Sequence, residues 1–374
     1  MSASNRHPAI LGERLVDGSV RCHVCQVRCA IPEGKLGVCN ARGVEGGELY
    51  TLIYGKASVV ALDPVEKKPL FHFFPGRVFL TAGTRGCNFH CPGCQNHDVA
   101  HDRPRLDGSN LESFEPGESV ALALENGAFG LAWSYNEPVI WIEHVLEAAR
   151  AAKARGLRTA LVTNGYATRE ALDLLAPHLD AYRVDLKGFS TRAYEKVSGG
   201  IARWEEILEV AALAKARGLH VECVTNVTPG INDDPGELRD LARWIKSTLG
   251  PLTPWHVTRF FPHAELLDVK PTKVPAVERV REVGLEEGLR YVYVGNLPGH
   301  PAQDTRCHGC GAVLIARRAF AIVGGELVGG KCGRCGVEIP GRFEEGPLRL
   351  TDGKRWRLET QSGSKITRSP STRA

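Results

Sequence analysis

The sequence predicts an α/β fold: a parallel (β/α)6-type partial TIM barrel with small cysteine-rich metal modules at its N- and C-terminal ends. Three observations predict it. Apolar, β-branched runs alternate with amphipathic stretches over most of the 374 residues, as βα units in series do. Polar residues cluster just after the strand candidates, on the barrel face that carries active sites. Eleven of the twelve cysteines fall into groups of four, three and four along the chain.

Taken in order, the strand candidates are 77–83, 130–135, 158–163, 181–186, 220–227 and 255–260, with a seventh at 290–295. Each is a short run rich in Val, Leu, Tyr or Phe bounded by turn residues. The helix candidates between them are 118–127, 138–156, 168–179, 204–218, 235–250 and 275–288. Two of these end in the same phrase, Lys-Ala-Arg-Gly-Leu, at 153–157 and 215–219. Cationic side chains suit the negative end of a helix, and glycine supplies the stop.

Composition excludes several classes. Lys+Arg is 47 and Asp+Glu is 43, a net charge of +4, too mild for a nucleic-acid coat or a polybasic membrane anchor. No apolar run reaches membrane-spanning length, and the first residues lack the apolar core of a secretory signal. The expected location is therefore the cytoplasm. In that reducing compartment, clustered cysteines read as metal ligands rather than disulfides.

The C-terminal group, Cys307, Cys310, Cys332 and Cys335, is two C-x2-C pairs, each followed by glycine, around a short hairpin. Four thiolates so spaced suit a closed tetrahedral zinc site, a zinc ribbon. The N-terminal group, Cys22, Cys25, Cys29 and Cys39, is C-x2-C-x3-C-x9-C and completes a second four-ligand set. Thiolates alone leave zinc and a second iron–sulfur cluster equally open there. His23 reads as a loop residue.

The middle group, Cys87, Cys91 and Cys94, is C-x3-C-x2-C in a loop turned by Gly86, Pro92 and Gly93. It has no fourth cysteine. Either a zinc site borrows His90 or His97, or a cubane cluster keeps one iron free of protein. Cys223 stands alone mid-strand and reads as a small buried hydrophobe.

C-x3-C-x2-C directly after an apolar strand resembles the signature of radical S-adenosylmethionine (SAM) enzymes. The later segments extend the likeness: WSYNEP at 133–138, LVTNGY at 161–166, RVDLKG at 183–188, VTPGIND at 227–233 and HVTRFFP at 256–262. With YVGNLPG and the flanking cysteines, they most resemble the radical enzyme of the AmmeMemoRadiSam system, over about Cys22 to Gly341. That family is itself similar to activating enzymes of the pyruvate formate-lyase type.

The resemblance implies that Cys87, Cys91 and Cys94 hold a [4Fe–4S] cluster whose open iron chelates SAM. One electron would cleave SAM to a 5′-deoxyadenosyl radical that abstracts hydrogen from a substrate the likeness does not identify. It implies that Glu137 meets the SAM ammonium and Asn164 the ribose. Asp185 and Lys187 would face SAM or substrate. Thr225, Asn226, His256 and Arg259 would line the later strands, with Arg259 a candidate for the SAM carboxylate or an anionic substrate, and with His256 equally readable as a core or scaffold residue. Asn-Glu-Pro stands where that family commonly has Gly-Gly-Glu-Pro, a departure at the backbone around Glu137.

The implied partners are an electron donor such as flavodoxin or ferredoxin, and Memo-like and AMMECR-like proteins. Bland readings stand beside these. Asn136-Glu137-Pro138 is also a helix start, Thr163-Asn164-Gly165 a plain turn, and Asp185 with Lys187 a surface pair. Within the radical class the alternative is activation of a glycyl-radical enzyme. Outside it, a non-catalytic zinc scaffold is the alternative. The expected division is 1–69 for the N-terminal metal region, 70–300 for the barrel, 301–350 for the ribbon module and 351–374 for a disordered tail.

Overall fold

A sheet of eight strands forms the centre of the molecule, and its spatial order follows the chain order without a crossover. The strands are β1 (Val59–Pro64), β2 (Val78–Gly83), β3 (Gly130–Trp133), β4 (Arg158–Thr163), β5 (Ala181–Asp185), β6 (His220–Val227), β7 (Trp255–Arg259) and β8 (Val292–Gly295). The computed structural model describes residues 6–351, so nearly all of the expected tail lies outside the described residues. β1 pairs with β2 antiparallel, and every later neighbour pairs in parallel. The first and last strands do not pair, so the barrel is partial.

The seven strands read from sequence are present, and β1 adds an antiparallel edge before them. Its sequence, VVALDP, is apolar but is followed only by the single helical turn Val65–Lys67, so a search for βα units passes over it.

Helices cover the sheet because their local signals agree with the pattern. Pro116–Glu125 opens with a capping box between Glu115 and Glu118. Arg169–Leu175 starts at Thr168, whose side chain accepts from Ala171 N at 3.1 Å. Pro235–Trp244 starts at Asp234, which accepts from Glu237 N at 2.9 Å, with proline in the first turn. Helices end at Gly156, Gly218 and Gly288, each with positive φ.

The segment Leu70–Phe74 is buried and closes the barrel at the N-terminal ends of its strands. The Glu222 carboxylate, near the start of β6, accepts from Phe71 N at 3.0 Å and His72 N at 2.8 Å. It also contacts His220 at 2.8 Å and His256 at 2.7 Å. Burial would raise its pKa, but the two histidines outweigh that and hold it well below the usual carboxylate range.

Below this floor packs the C-terminal module, where Val313–Arg318 and Ala321–Gly324 form the expected hairpin. Its core residues Leu314, Ile315 and Ile322 cluster with Phe71, Tyr291 and Tyr293. The N-terminal module attaches at the opposite end of β4. Cys25 bridges Ala167, Gln26 N donates to Tyr166 O at 3.0 Å, and Thr168 N donates to Val24 O at 3.2 Å.

Candidate active site

The three-cysteine loop leaves the C-terminal end of β2 and folds across the mouth of the barrel. Two glycines permit its course. A Cβ at Gly93 would stand 3.0 Å from Leu266 Cδ1, and one at Gly86 would stand 2.5 Å from Cys39 O. Cys87, Cys91 and Cys94 are each half-buried and free. Burial is the largest influence on all three thiols and raises them, Cys94 to about 12. Lys187 opposes that rise at Cys91, which places the β5 cation beside the loop.

Of the two histidines that a zinc site would borrow, His90 is engaged away from the loop and His97 turns one ring nitrogen onto the loop's own backbone. His90 Nε2 contacts Glu265 at 3.1 Å, and its ring stacks on His101 at 4.0 Å. His97 Nδ1 lies 3.2 Å from Cys94 O.

The turn after β3 is built against the loop. Tyr135 adopts φ 74°, and a Cβ at Gly83 would stand 2.6 Å from Ser134 O. Asn136 Nδ2 donates to Gly86 O at 2.8 Å, and its Oδ1 accepts from Thr84 N at 3.3 Å. Glu137 is 1% exposed. One carboxylate oxygen accepts from Val139 N at 3.0 Å and Thr163 Oγ1 at 2.8 Å; the other accepts from Asn164 N at 2.7 Å. Burial dominates and raises its pKa to about 7 despite those donors. Glu137 itself, not Asn136, caps the short helical turn Pro138–Trp141. Three of its acceptor positions therefore serve the chain's own backbone and Thr163.

Asn164 behaves in the same way. Its Nδ2 donates to Asn88 Oδ1 at 2.8 Å, and its Oδ1 accepts from Tyr166 N at 3.0 Å. Asn88 also accepts from Cys87 Sγ at 3.8 Å. Asn136, Asn164 and Asn88 thus lock the turns after β3 and β4 onto the cysteine loop.

Asp185, at the end of β5, lies 2.5 Å from Arg183 and 3.2 Å from Lys187. Burial would raise its pKa, but the two cations outweigh it and keep the carboxyl below its usual value. The Lys187 ammonium would be lowered by burial, but Asp185 and Cys91 raise it instead.

Asn226 donates to Arg259 O at 3.4 Å, and its buried Oδ1 has no partner. Arg259 donates to Thr272 O at 2.9 Å and covers the Phe261 ring. Thr225 and His256 face away from this group. Thr225 accepts from Trp255 Nε1 at 2.9 Å, and His256 belongs to the Glu222 floor. Cys223 is fully buried, as read from sequence.

Sequence reasoning passed over Asn88 and the interior pair Asp63–Lys68. Lys68 lies 2.7 Å from Asp63, and the Tyr135 hydroxyl donates to the same carboxylate at 2.8 Å. Asn88's adjacency to Cys87 was the available signal. Asp63 followed four and five residues later by Lys67 and Lys68, in a largely apolar run, was the signal for the pair.

The other cysteine sets differ in geometry. Cys307 and Cys335 Sγ lie 3.6 Å apart, as do Cys310 and Cys332. All four ligand atoms fall within 4.8 Å of one another. Zn–S bonds of about 2.3 Å at tetrahedral angles place sulfurs about 3.8 Å apart, so this set fits a single ion. Gly309 N and Cys310 N both point at Cys307 Sγ, at 3.3 and 3.4 Å. Among the described residues neither other cysteine set gathers three ligand atoms that closely. The middle loop, with three soft donors and no fourth cysteine, fits a cluster with one open iron.

An uncharacterized protein of Methanocaldococcus jannaschii is 38% identical over 333 residues, 88% of this chain and 98% of that one. The model of the radical SAM superfamily matches residues 82–245, from the end of β2 through the helix after β6. The chain belongs to the radical SAM superfamily. It is an enzyme of that superfamily, whose members use a [4Fe–4S] cluster and SAM. The pyruvate formate-lyase 1-activating enzyme of Escherichia coli K12 is 25% identical over 231 residues, 59% of this chain and 93% of its own. A radical SAM methyltransferase from Sphaerobacter thermophilus shares 18% identity at a TM-score of 0.46, over 59% of this chain and 67% of that one. The match of the family model thus begins at the strand that delivers the cysteine loop.

Proposed function

We propose that Cys87, Cys91 and Cys94 hold the [4Fe–4S] cluster, and that the enzyme reductively cleaves SAM to abstract hydrogen from a substrate at the barrel mouth. The observation that carries this reading is the three-thiol loop at the barrel mouth, with no fourth cysteine and with His90 held by Glu265. When bound, the cluster supplies the single electron for SAM cleavage. The chain does the positioning. Glu137 braces the turns after β3 and β4 by accepting from Asn164 N and Thr163, and Asn164 ties Asn88 and the loop to β4. Asp185 and Lys187, beside Cys91, and the unpartnered Asn226 Oδ1 with Arg259 offer charged and polar contacts for SAM and substrate. The electron comes from a donor of the flavodoxin or ferredoxin kind, in the cytoplasm, where the twelve thiols stay reduced.

Within the superfamily we place the chain in the AmmeMemoRadiSam system, acting with Memo-like and AMMECR-like proteins. The support is the motif resemblance over about Cys22 to Gly341. The Methanocaldococcus relative matches 88% of the chain, whereas the formate-lyase activase matches 59%. Glycyl-radical activation is the second reading, favoured by that activase similarity. The closed geometry of Cys307, Cys310, Cys332 and Cys335 supports zinc there.

The test is anaerobic reconstitution followed by reduction with SAM. 5′-Deoxyadenosine from the wild type and none from Cys94→Ala is the expected result. Intact SAM beside bound zinc alone would leave the scaffold reading. A stoichiometric glycyl radical on a partner protein would favour the activase reading.

A further inference from the structure

We propose that Cys22, Cys25, Cys29 and Cys39 hold a second [4Fe–4S] cluster, which relays electrons through Asn88 to the three-cysteine loop. The relay rests on the function proposed above; the cluster itself does not.

The four thiols line one cavity, whose remaining walls are largely apolar, with Val24, Val27 and Ile31 among them. Three of the cysteines are buried, and Cys29 is half-buried. Their sulfurs do not gather as the C-terminal set does, where all four ligand atoms lie within 4.8 Å. Four thiols around one largely apolar cavity supply the full ligand set of a cubane cluster.

Two nitrogens in its walls strengthen the assignment. Both residues line the cavity: Arg42 Nε is buried with no hydrogen-bond partner, and the Asn88 amide is aimed at the Cys25 thiol, which it lowers against the rise that burial causes. The rest of the Arg42 guanidinium is committed, to Glu143 at 2.9 Å and Ile10 O at 2.8 Å. The Asn88 Oδ1 is committed to Asn164 and Cys87. A buried donor is costly to leave unmade, so the free Arg42 Nε beside an amide already aimed at a thiol points to acceptors that belong in this space. Cluster sulfides and thiolates are such acceptors, and the arginine charge offsets their negative charge.

The same residues define a path. Asn88 stands on the N-terminal cavity and is bonded in sequence to Cys87. The Cys39 carbonyl packs on Gly86, where a Cβ would stand 2.5 Å away. On the outer side, Val38 lines the cavity and is 47% exposed, which leaves an edge where a donor protein can approach. One electron leaves a low-potential donor of the flavodoxin or ferredoxin class and reduces the outer cluster. It then passes to the inner one. No bond forms or breaks, and no proton moves.

The full chain, reconstituted anaerobically, tests this by iron, sulfide and zinc analysis with Mössbauer and EPR spectra. The wild type should hold about 8 irons, and the Cys87→Ala/Cys91→Ala/Cys94→Ala variant about 4 with a reducible cluster spectrum. Cys22→Ala/Cys29→Ala should also hold about 4, with an EPR signal that still responds to SAM. Asn88→Leu should lower the midpoint potential of the outer cluster, because hydrogen bonds to sulfur raise it. A wild type with about 4 irons and a second zinc, or a Cys22→Ala/Cys29→Ala variant with undiminished iron, would overturn the proposal. An unchanged potential in Asn88→Leu would overturn the path. A chain with about 8 irons that leaves SAM intact keeps the second cluster and defeats the proposed function instead.

Discussion

Glu137 shows what a single buried carboxylate does at this mouth. Its pKa is raised to about 7 by burial, above an ordinary value of 4.5. The folded state then binds more protons than the unfolded chain between those values, so this group's stabilisation is full below about pH 4.5 and declines as pH rises toward 7. Glu137→Gln removes that slope but turns an amide donor toward one of the three groups that donate to it, at a cost of about 1–3 kcal/mol. The variant should be clearly less stable than wild type at pH 5, and the gap should narrow by pH 8. Thermal melts of the metal-free chain across that range check it. Parallel melting curves with a constant gap would mean that Glu137 stays ionised. The residue identity was legible in Asn-Glu-Pro; its service to the chain's own donors was not, because Thr163 and Asn164 lie on the next strand.

Among the elements, the helix Arg169–Leu175 carries two duties through one side chain. Thr168 Oγ1 accepts from Ala171 N and donates to His23 O at 2.6 Å, so the cap also fastens the N-terminal cysteine loop. Thr168→Ala should cost about 1–2 kcal/mol in denaturant unfolding, and Thr168→Ser should recover most of it. An Ala variant as stable as wild type would show that the cap is idle. The strands and most helices could be read from periodicity to within a few residues. Thr191–Val197 and β1 could not, since a two-turn helix and an edge strand give too short a pattern.

Across the whole molecule, the floor separates two cysteine sets. The C-terminal set lies below it, and the cysteine loop lies above, with Phe71 and Arg317 joining floor to module. Arg317 is fully buried and donates to Phe71 O at 2.9 Å and Gln303 O at 3.1 Å. Removal of about one zinc per chain by a strong chelator should lower the melting temperature and expose residues 301–350 to protease. Iron content and the SAM response of the EPR signal should not change. Loss of iron in step with zinc would show that the two ends are coupled. No helix among the described residues is long and apolar enough to cross a membrane, in keeping with the sequence reading.

By itself, the sequence determined the α/β class, the order of the parallel strands, the three cysteine groups and the superfamily. Each is written in local spacing: a two-residue period, a cap, a C-x3-C-x2-C. Only the tertiary structure decided which groups meet. It gave Glu137 and Asn164 to the chain's own donors and acceptors, turned His256 into the floor, and set Asn88 between two cysteine loops. Those pairings join residues far apart in the chain, such as Glu222 with Phe71 and Arg42 with Glu143. Parallel strand register and close packing bring them together, and neither is encoded by spacing along one segment.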